Sequence, residues 1–239
     1  MKFTPPLLKT TLVKRHKRFL ADVNHPEMGD FTAHCPNTGS MKNCWSEGDV
    51  AWLLDSENPK RKYRFTWVIN ETRDGHMICI NTHLANQIVT EGIETGIVKE
   101  LQDYKQIQQE VKYGDENSRI DLLLTDPDKT DCYVEIKTVT LLESGDDFDT
   151  GAGFFPDAVT TRGQKHLREL IEMKQQGHRA VLFFLVQHSG IQTVDAAKHI
   201  DKKYADLYDQ ARRAGVEVMA YQSKISSDEM VLEKAVPVL

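Results

Sequence analysis

The chain has 239 residues, with 30 Lys or Arg against 36 Asp or Glu and a net charge of −6. Hydrophobic residues make up 40% and charged residues 28%, which excludes a disordered, collagen-like or membrane-embedded chain. The longest apolar run, Ala180 to Val186, falls far short of the roughly 20 residues that span a bilayer. The first residues hold no apolar secretory core, and Cys35, Cys44, Cys79 and Cys132 form no CxxC pair. These features lead to the expectation of a reduced, cytoplasmic protein with no membrane partner. The length suits one large domain or two modest ones, and the oligomeric state is left open, a homodimer included.

The first third reads as β. Loose alternation over 7–23 predicts a first strand, and 48–54, 63–70 and 77–81 predict three more. Asp74-Gly75 between the last two is a hairpin signal. Short strands with Gly and Pro turns point to a small barrel or sandwich. An apolar turn over 83–88 follows, and the boundary falls near residue 83, giving an N-terminal unit 1–83 and a second unit 84–239. In the second unit the spacing of Ile93, Ile97, Leu101 and Tyr104 predicts a helix over 91–104. Strands follow at 107–112, 118–124 and 132–139, then a polar loop over 143–153. A helix over 162–176 stops at Gly177, a strongly apolar strand covers 179–187, a helix over 201–214 stops at Gly215, and 216–221 returns as a strand. The order αβββαβαβ is an α/β pattern around a mixed sheet.

Charge is unevenly spread. Residues 1–83 carry 12 basic and 9 acidic groups, net +3, whereas 84–239 carry 18 and 27, net −9. The first twenty residues include Lys14, Arg15, Lys17 and Arg18 and no acid. A local basic patch can dock a polyanion on an acidic protein, because phosphate contacts act within about 8 Å at physiological salt; a solvated strand face would look the same.

The chemistry concentrates in the second unit. In Tyr133-Val134-Glu135-Ile136-Lys137 the side chains alternate, so Glu135 and Lys137 share one strand face. Asp121 lies inside the apolar run of the preceding strand, where a lone carboxylate is costly. A divalent cation between Asp121 and Glu135 would compensate it; a structural ion pair with Lys137 is the plainer alternative. At about 100° per residue, Glu100 would lie roughly 20° from Ile93 on the predicted helix, at the edge of its apolar stripe. Gln164 shares the buried face of Leu167 and Ile171, and also fits a capping box with Thr161. Carboxylates that hold a hard cation, with a lysine beside them, suit phosphodiester hydrolysis. His34 with Cys35 and Cys44 lacks the paired spacing of a zinc site. Gly151-Ala152-Gly153 lacks the lysine of a phosphate-binding loop, which leaves a sugar-phosphate enzyme without support.

Asp121 followed by Glu135-Ile136-Lys137 on this frame resembles the core of the PD-(D/E)xK nucleases. The segments 34–41 (HCPNTGSM), 118–121 (SRID), 134–140 (VEIKTVT) and 155–167 (FPDAVTTRGQKHL) resemble the sugar fermentation stimulation protein A (SfsA) family over nearly the whole length. The resemblance implies an N-terminal OB-like barrel joined to a PD-(D/E)xK-like domain. It also implies DNA as partner, Mg²⁺ or Mn²⁺ as cofactor, and a role in regulating maltose metabolism in bacteria. It makes Asp121, Glu135 and Glu100 the metal ligands, with Lys137 catalytic and Gln164 supporting. The candidate DNA contacts are Lys14, Arg15, Lys17, Arg18, Asn37, Thr38, Ser40, Arg162 and Lys165. The superfamily includes members that only bind, so two outcomes stand: a Mg²⁺- or Mn²⁺-dependent deoxyribonuclease of little sequence preference, or a non-catalytic DNA-binding regulator.

Overall fold

Lys17 and Arg18 both take positive φ, 51° and 66°, and the basic N-terminal segment folds back there. The computed structural model describes every residue except 115 and 117. The run expected as one strand over 7–23 is therefore two: β1 (Leu8–His16) and β2 (Leu20–His25), with His16 paired to Leu20. No Gly or Asn marks the turn, so the sequence carried no signal for it.

β3 (Gly29–His34), β4 (Val50–Asp55), β5 (Phe65–Glu71) and β6 (Met77–Cys79) follow. The sheet runs β3-β2-β1-β4-β5-β6, and β3 returns to β5 through His34 and Thr66. This closes five strands into a barrel around Leu12, Val23, Ala33, Leu53 and Trp67. Closure removes the exposed strand edges that an open sheet of this size would present. Gly75, at φ 81°, makes the expected turn between β5 and β6.

The helix expected over 91–104 is instead α1 (Ala85–Glu94), followed by a single 3₁₀ turn at Lys99–Leu101. Gly96 explains the early stop. Its φ of 77° is left-handed, its N–H reaches the Ile93 carbonyl, and the Ile97 N–H reaches that of Gly92. This is a Schellman end, with glycine where a Cβ would be strained. Ile97, Leu101 and Tyr104 keep helical spacing without being on the helix.

The rest is β7 (Gln106–Tyr113), β8 (Ser118–Asp126), β9 (Lys129–Val139), β10 (Leu141–Leu142), β11 (Ala152–Phe155), α2 (Thr161–Gln175), β12 (Arg179–Val186), β13 (Thr193–Ala196), α3 (Lys202–Arg213), β14 (Glu217–Ile225) and β15 (Met230–Ala235). A six-stranded sheet runs β15-β14-β12-β9-β8-β7, and a small one runs β10-β11-β13. β9, β12 and β14 are parallel neighbours, with antiparallel strands on both sides, so the sheet is mixed as expected. β12 is buried on both faces, which suits its unbroken apolar run. α2 and α3 end at Gly177 and Gly215, both at φ 90°.

The two faces of the sheet have different partners. On one, Leu122, Val134, Ile136 and Phe183 pack with Ile88 and Val89 of α1 and with Val68, Ile69 and Cys79 from the barrel half. The two halves therefore share one core. On the other, Ile120, Leu123, Phe184 and Val186 pack with Leu167 and Leu170 of α2 and Tyr204 and Tyr208 of α3. Among the described residues no helix is long and apolar enough to cross a membrane.

Candidate metal centre

Glu135 is 1% exposed on the α2 face of β9. Its Oε1 accepts from Lys137 Nζ at 2.6 Å and from His166 Nδ1 on α2. Arg162 Nε donates to His166 Nε2 at 3.4 Å, and Lys137 Nζ also lies 3.1 Å from His166 Nδ1, so Glu135, Lys137 and His166 form one buried cluster. The other oxygen, Oε2, is buried without a partner among the described residues. Burial opposes the Glu135 charge, but Lys137 and His166 outweigh it and hold the carboxyl below its usual range.

Asp121 stands where β8 and β9 part. The ladder pairs Leu122 with Val134 and goes no further. The next free amide of β9, on Ile136, donates instead to Asp121 Oδ2 at 2.7 Å. The carboxylate thus replaces a strand carbonyl and is aimed at Glu135. Burial and then the Glu135 charge push its pKa up to about 7, against the pull of Lys137 and the Ile136 amide. The two carboxylates are thus coupled, with Glu135 held down and Asp121 raised.

Lys137 also lines a cavity of about 200 Å³ between the two halves, with Asn37 and Thr82 on one side and Thr140, Phe155 and Asp157 on the other. Phe155 and Asp157 border a second groove, of about 470 Å³, that runs to Arg18 and Val159. The basic β1–β2 turn and the loop before α2 therefore face one another beside the Lys137 cavity.

The expected residues divide as follows. Asp121, Glu135 and Lys137 come together. Glu100 does not: it is exposed in the 3₁₀ turn and its carboxylate accepts from Tyr221 at 2.6 Å. Tyr221 packs in the α1-side core, so Glu100 belongs to the opposite side of the sheet from Glu135. Gln164 is buried, but its amide is spent on both Asp201 oxygens at 3.0 and 3.1 Å. The N-cap of α2 is Thr160, whose hydroxyl accepts from Gly163 N, rather than Thr161.

Among the basic and polar candidates, Lys17, Arg18 and Thr38 are exposed. Lys14 is exposed too and pairs with Asp22 at 3.4 Å. Arg15 is committed inside the fold: it donates to the carbonyls of Arg18, Asn37, Gly39 and Ser40 at 2.8–3.3 Å. Asn37 Oδ1 accepts from Gly39 N, and Ser40 Oγ donates to Asp157 at 2.8 Å, so the 37–41 loop is tied to the second half. Arg162 is exposed at the start of α2, and Lys165 reaches the Glu116 carbonyl. His34, Cys35 and Cys44 build no metal site: among the described residues no three His, Cys, Asp or Glu side chains converge as a ready ligand set.

Sequence reasoning missed His166 and Asp201. His166 lies in the 155–167 segment and four residues after Arg162, on the buried stripe of α2; that spacing was the available signal. Asp201 is the α3 N-cap, a position where Asp before a helical run is itself the signal.

Residues 83–229 match the family model of the sugar fermentation stimulation protein RE domain, and residues 13–80 match that of the SfsA N-terminal OB domain. The chain belongs to the SfsA family. It is 54% identical over 243 residues to the sugar fermentation stimulation protein homolog of Shewanella woodyi, covering 100% of this chain and 99% of that one. The Shewanella loihica homolog is 55% identical over 238 residues with the same coverage. The structure of Pyrococcus furiosus SfsA in complex with Ca²⁺ matches with a TM-score of 0.85 at 27% identity, over 100% of this chain and 99% of that one. The SfsA architecture of OB-like barrel and mixed α/β sheet is thus shared across distant relatives.

Proposed function

We propose that this SfsA-family chain binds DNA with little sequence preference and that Asp121, Glu135 and Lys137 form a divalent-cation centre for phosphodiester hydrolysis. The observation that carries the reading is the pairing of a raised Asp121 with a Glu135 whose Oε2 is buried and unpartnered, beside the Lys137 ammonium. The donor atoms are carboxylate oxygens, which fit Mg²⁺, Mn²⁺ or Ca²⁺ rather than a soft metal. Mg²⁺ is commonly held by one or two carboxylates plus water and substrate phosphate, so two such ligands suffice. Pyrococcus furiosus SfsA forms a complex with Ca²⁺, which supports a hard cation in this family.

Asp121 and Glu135 would hold the ion. When bound, it would polarise the phosphate and lower the pKa of an attacking water. His166 keeps Oε1 of Glu135 engaged and leaves Oε2 for the ion. Lys137 reaches from the carboxylates into the interdomain cavity, where its ammonium can donate to a phosphate oxygen. Lys17 and Arg18 on the barrel and Arg162 on α2 are placed to meet the phosphate backbone. The relatives are named for the stimulation of sugar fermentation, which supports our placing the chain in the regulation of sugar, including maltose, metabolism.

A second reading rests on the 2.6 Å Lys137–Glu135 pair, which neutralises the centre internally. In that case the same frame binds DNA without cutting it and serves as a regulator. The deciding test is incubation with single-stranded, duplex and branched DNA in Mg²⁺ and Mn²⁺, alongside Glu135→Ala and Lys137→Ala. Metal-dependent cutting lost in both variants is the expected result. Salt-sensitive binding with no cutting in either metal would overturn hydrolysis and leave the regulator.

A further inference from the structure

Glu169 is 1% exposed on α2, and neither of its carboxylate oxygens has a partner among the described residues. It lies three residues after His166, which touches Glu135, so both are carried on the same buried side of the helix. Its neighbour Arg168 points outward and hydrogen-bonds Glu116, at 2.8 and 3.0 Å, rather than Glu169. The chain makes room for this carboxylate: a Cβ on Gly114 would come within 2.7 Å of Glu169 Oε1.

Tyr113 links Glu169 to the centre. Its ring is 8% exposed and its hydroxyl is unpartnered. Tyr113 precedes Gly114, which packs against Glu169, and its strand pairs with β8, which carries Asp121; burial and then the charges of Glu135, Glu169 and Asp121 push the phenol's pKa upward. Ser118, paired with Tyr113 across β7 and β8, adds another unpartnered buried oxygen. Here, then, are three carboxylates, two hydroxyls and one lysine. Buried polar atoms left without partners are costly unless something satisfies them.

We infer that Glu169 is the third carboxylate of the cation centre, the role the sequence suggested for Glu100, and that it acts through the ion's water ligands. The inference rests on the proposed cation centre. An indirect contact agrees with the absence of three converging ligands among the described residues. It also suits Mg²⁺ and Mn²⁺, which keep several waters when bound. Loss of such an outer carboxylate typically costs 10- to 100-fold in metal affinity.

The test is calorimetric titration of the full chain with Mn²⁺ and Ca²⁺, comparing wild type, Asp121→Asn, Glu169→Gln, Glu169→Asp and Glu100→Gln. Thermal melting in EDTA and in saturating Mn²⁺ accompanies it. The expected result is binding by wild type, none by Asp121→Asn, a loss of roughly 10- to 100-fold for Glu169→Gln, a smaller loss for Glu169→Asp, and none for Glu100→Gln. Glu169→Gln should melt at or above the wild-type temperature in EDTA, because an unpartnered buried carboxyl gives way to an amide of the same shape, and gain less from Mn²⁺. Wild-type affinity in Glu169→Gln, or a lower melting temperature in EDTA with the Mn²⁺ gain intact, would overturn the inference and make Glu169 structural. No cation binding by wild type would refute the centre itself.

Discussion

Asp201 joins the two helices that back the centre, and replacing it gives a sharp test of the architecture. Its carboxylate is 3% exposed. It accepts from Tyr204 N in its own helix, from Thr160 N at the start of α2, both at 2.9 Å, and from the Gln164 amide. Asp201→Ala removes an N-cap, worth about 1 kcal/mol. It also leaves the Thr160 N–H and the Gln164 amide as buried donors without acceptors, at about 1–2 kcal/mol each. The expected loss is about 3–5 kcal/mol, or roughly 10 °C in melting temperature at this chain length. Asp201→Asn keeps one acceptor oxygen and should lose about half as much. The pH dependence follows from the charge. Burial raises the Asp201 pKa, but the amides of Thr160 and Tyr204 and the Gln164 side chain outweigh it, so the folded value is depressed. Its contribution is present above the unfolded carboxyl value and is lost as pH falls through the folded value. The gap between wild type and Asp201→Ala in urea unfolding should therefore narrow from pH 7 to pH 2.5, by the charge-linked part of the loss. Equal midpoints at pH 7, or a gap unchanged down to pH 2.5, would refute the reasoning.

Asp121 behaves in the opposite sense. In EDTA its folded pKa of about 7 lies above its value in the unfolded chain, so wild type loses stability as pH rises towards 7. Asp121→Asn should gain about 2–3 kcal/mol on wild type between pH 5 and pH 7, measured by urea unfolding. Gly114→Ala places a side chain at φ 65° and against Glu169; a loss of about 2 kcal/mol or more is expected in denaturant titration. Glu143 binds Lys42 at 2.6 Å and Asn43 at 3.1 Å across the two halves, and His199 at 3.2 Å within its own half. Glu143→Ala should cost about 2 kcal/mol, whereas Lys42→Ala, at a half-exposed lysine, should cost under about 1 kcal/mol in the same assay. In anisotropy titrations with DNA, Lys17→Ala and Arg18→Ala should each reduce the log–log salt slope by about one, while Arg15→Ala, which frees four carbonyls, should chiefly lower the melting temperature.

The strand-borne part of the centre was legible in the sequence because strand periodicity is short and strict. Alternation alone places Glu135 and Lys137 on one face, and the apolar neighbours of Asp121 mark it as partly buried. The helical part was not. Ile97, Leu101 and Tyr104 repeat at helical spacing, yet Gly96 ends the helix before them, which carried Glu100 to a turn on the other side of the sheet. A single left-handed glycine outweighed the pattern. The β1–β2 turn was hidden for the reverse reason: Lys17 and Arg18 take left-handed φ without being glycine or asparagine. Glu169 gave no motif, and only the fold brings it against Gly114 at the end of β7. Gln164 was rightly expected to face inward, but a carboxylate from α3, distant in sequence, engages it there.

The core on the α1 side of the sheet draws Val68, Ile69 and Cys79 from the barrel half together with Val134 and Ile136 from the strand that carries Glu135. Among the described residues one continuous core joins the hairpin's half to the strand of Lys137. The two would act as marks on a ruler rather than as beads on a tether, so that a polymer held at the hairpin would meet the lysine at one fixed offset along its length.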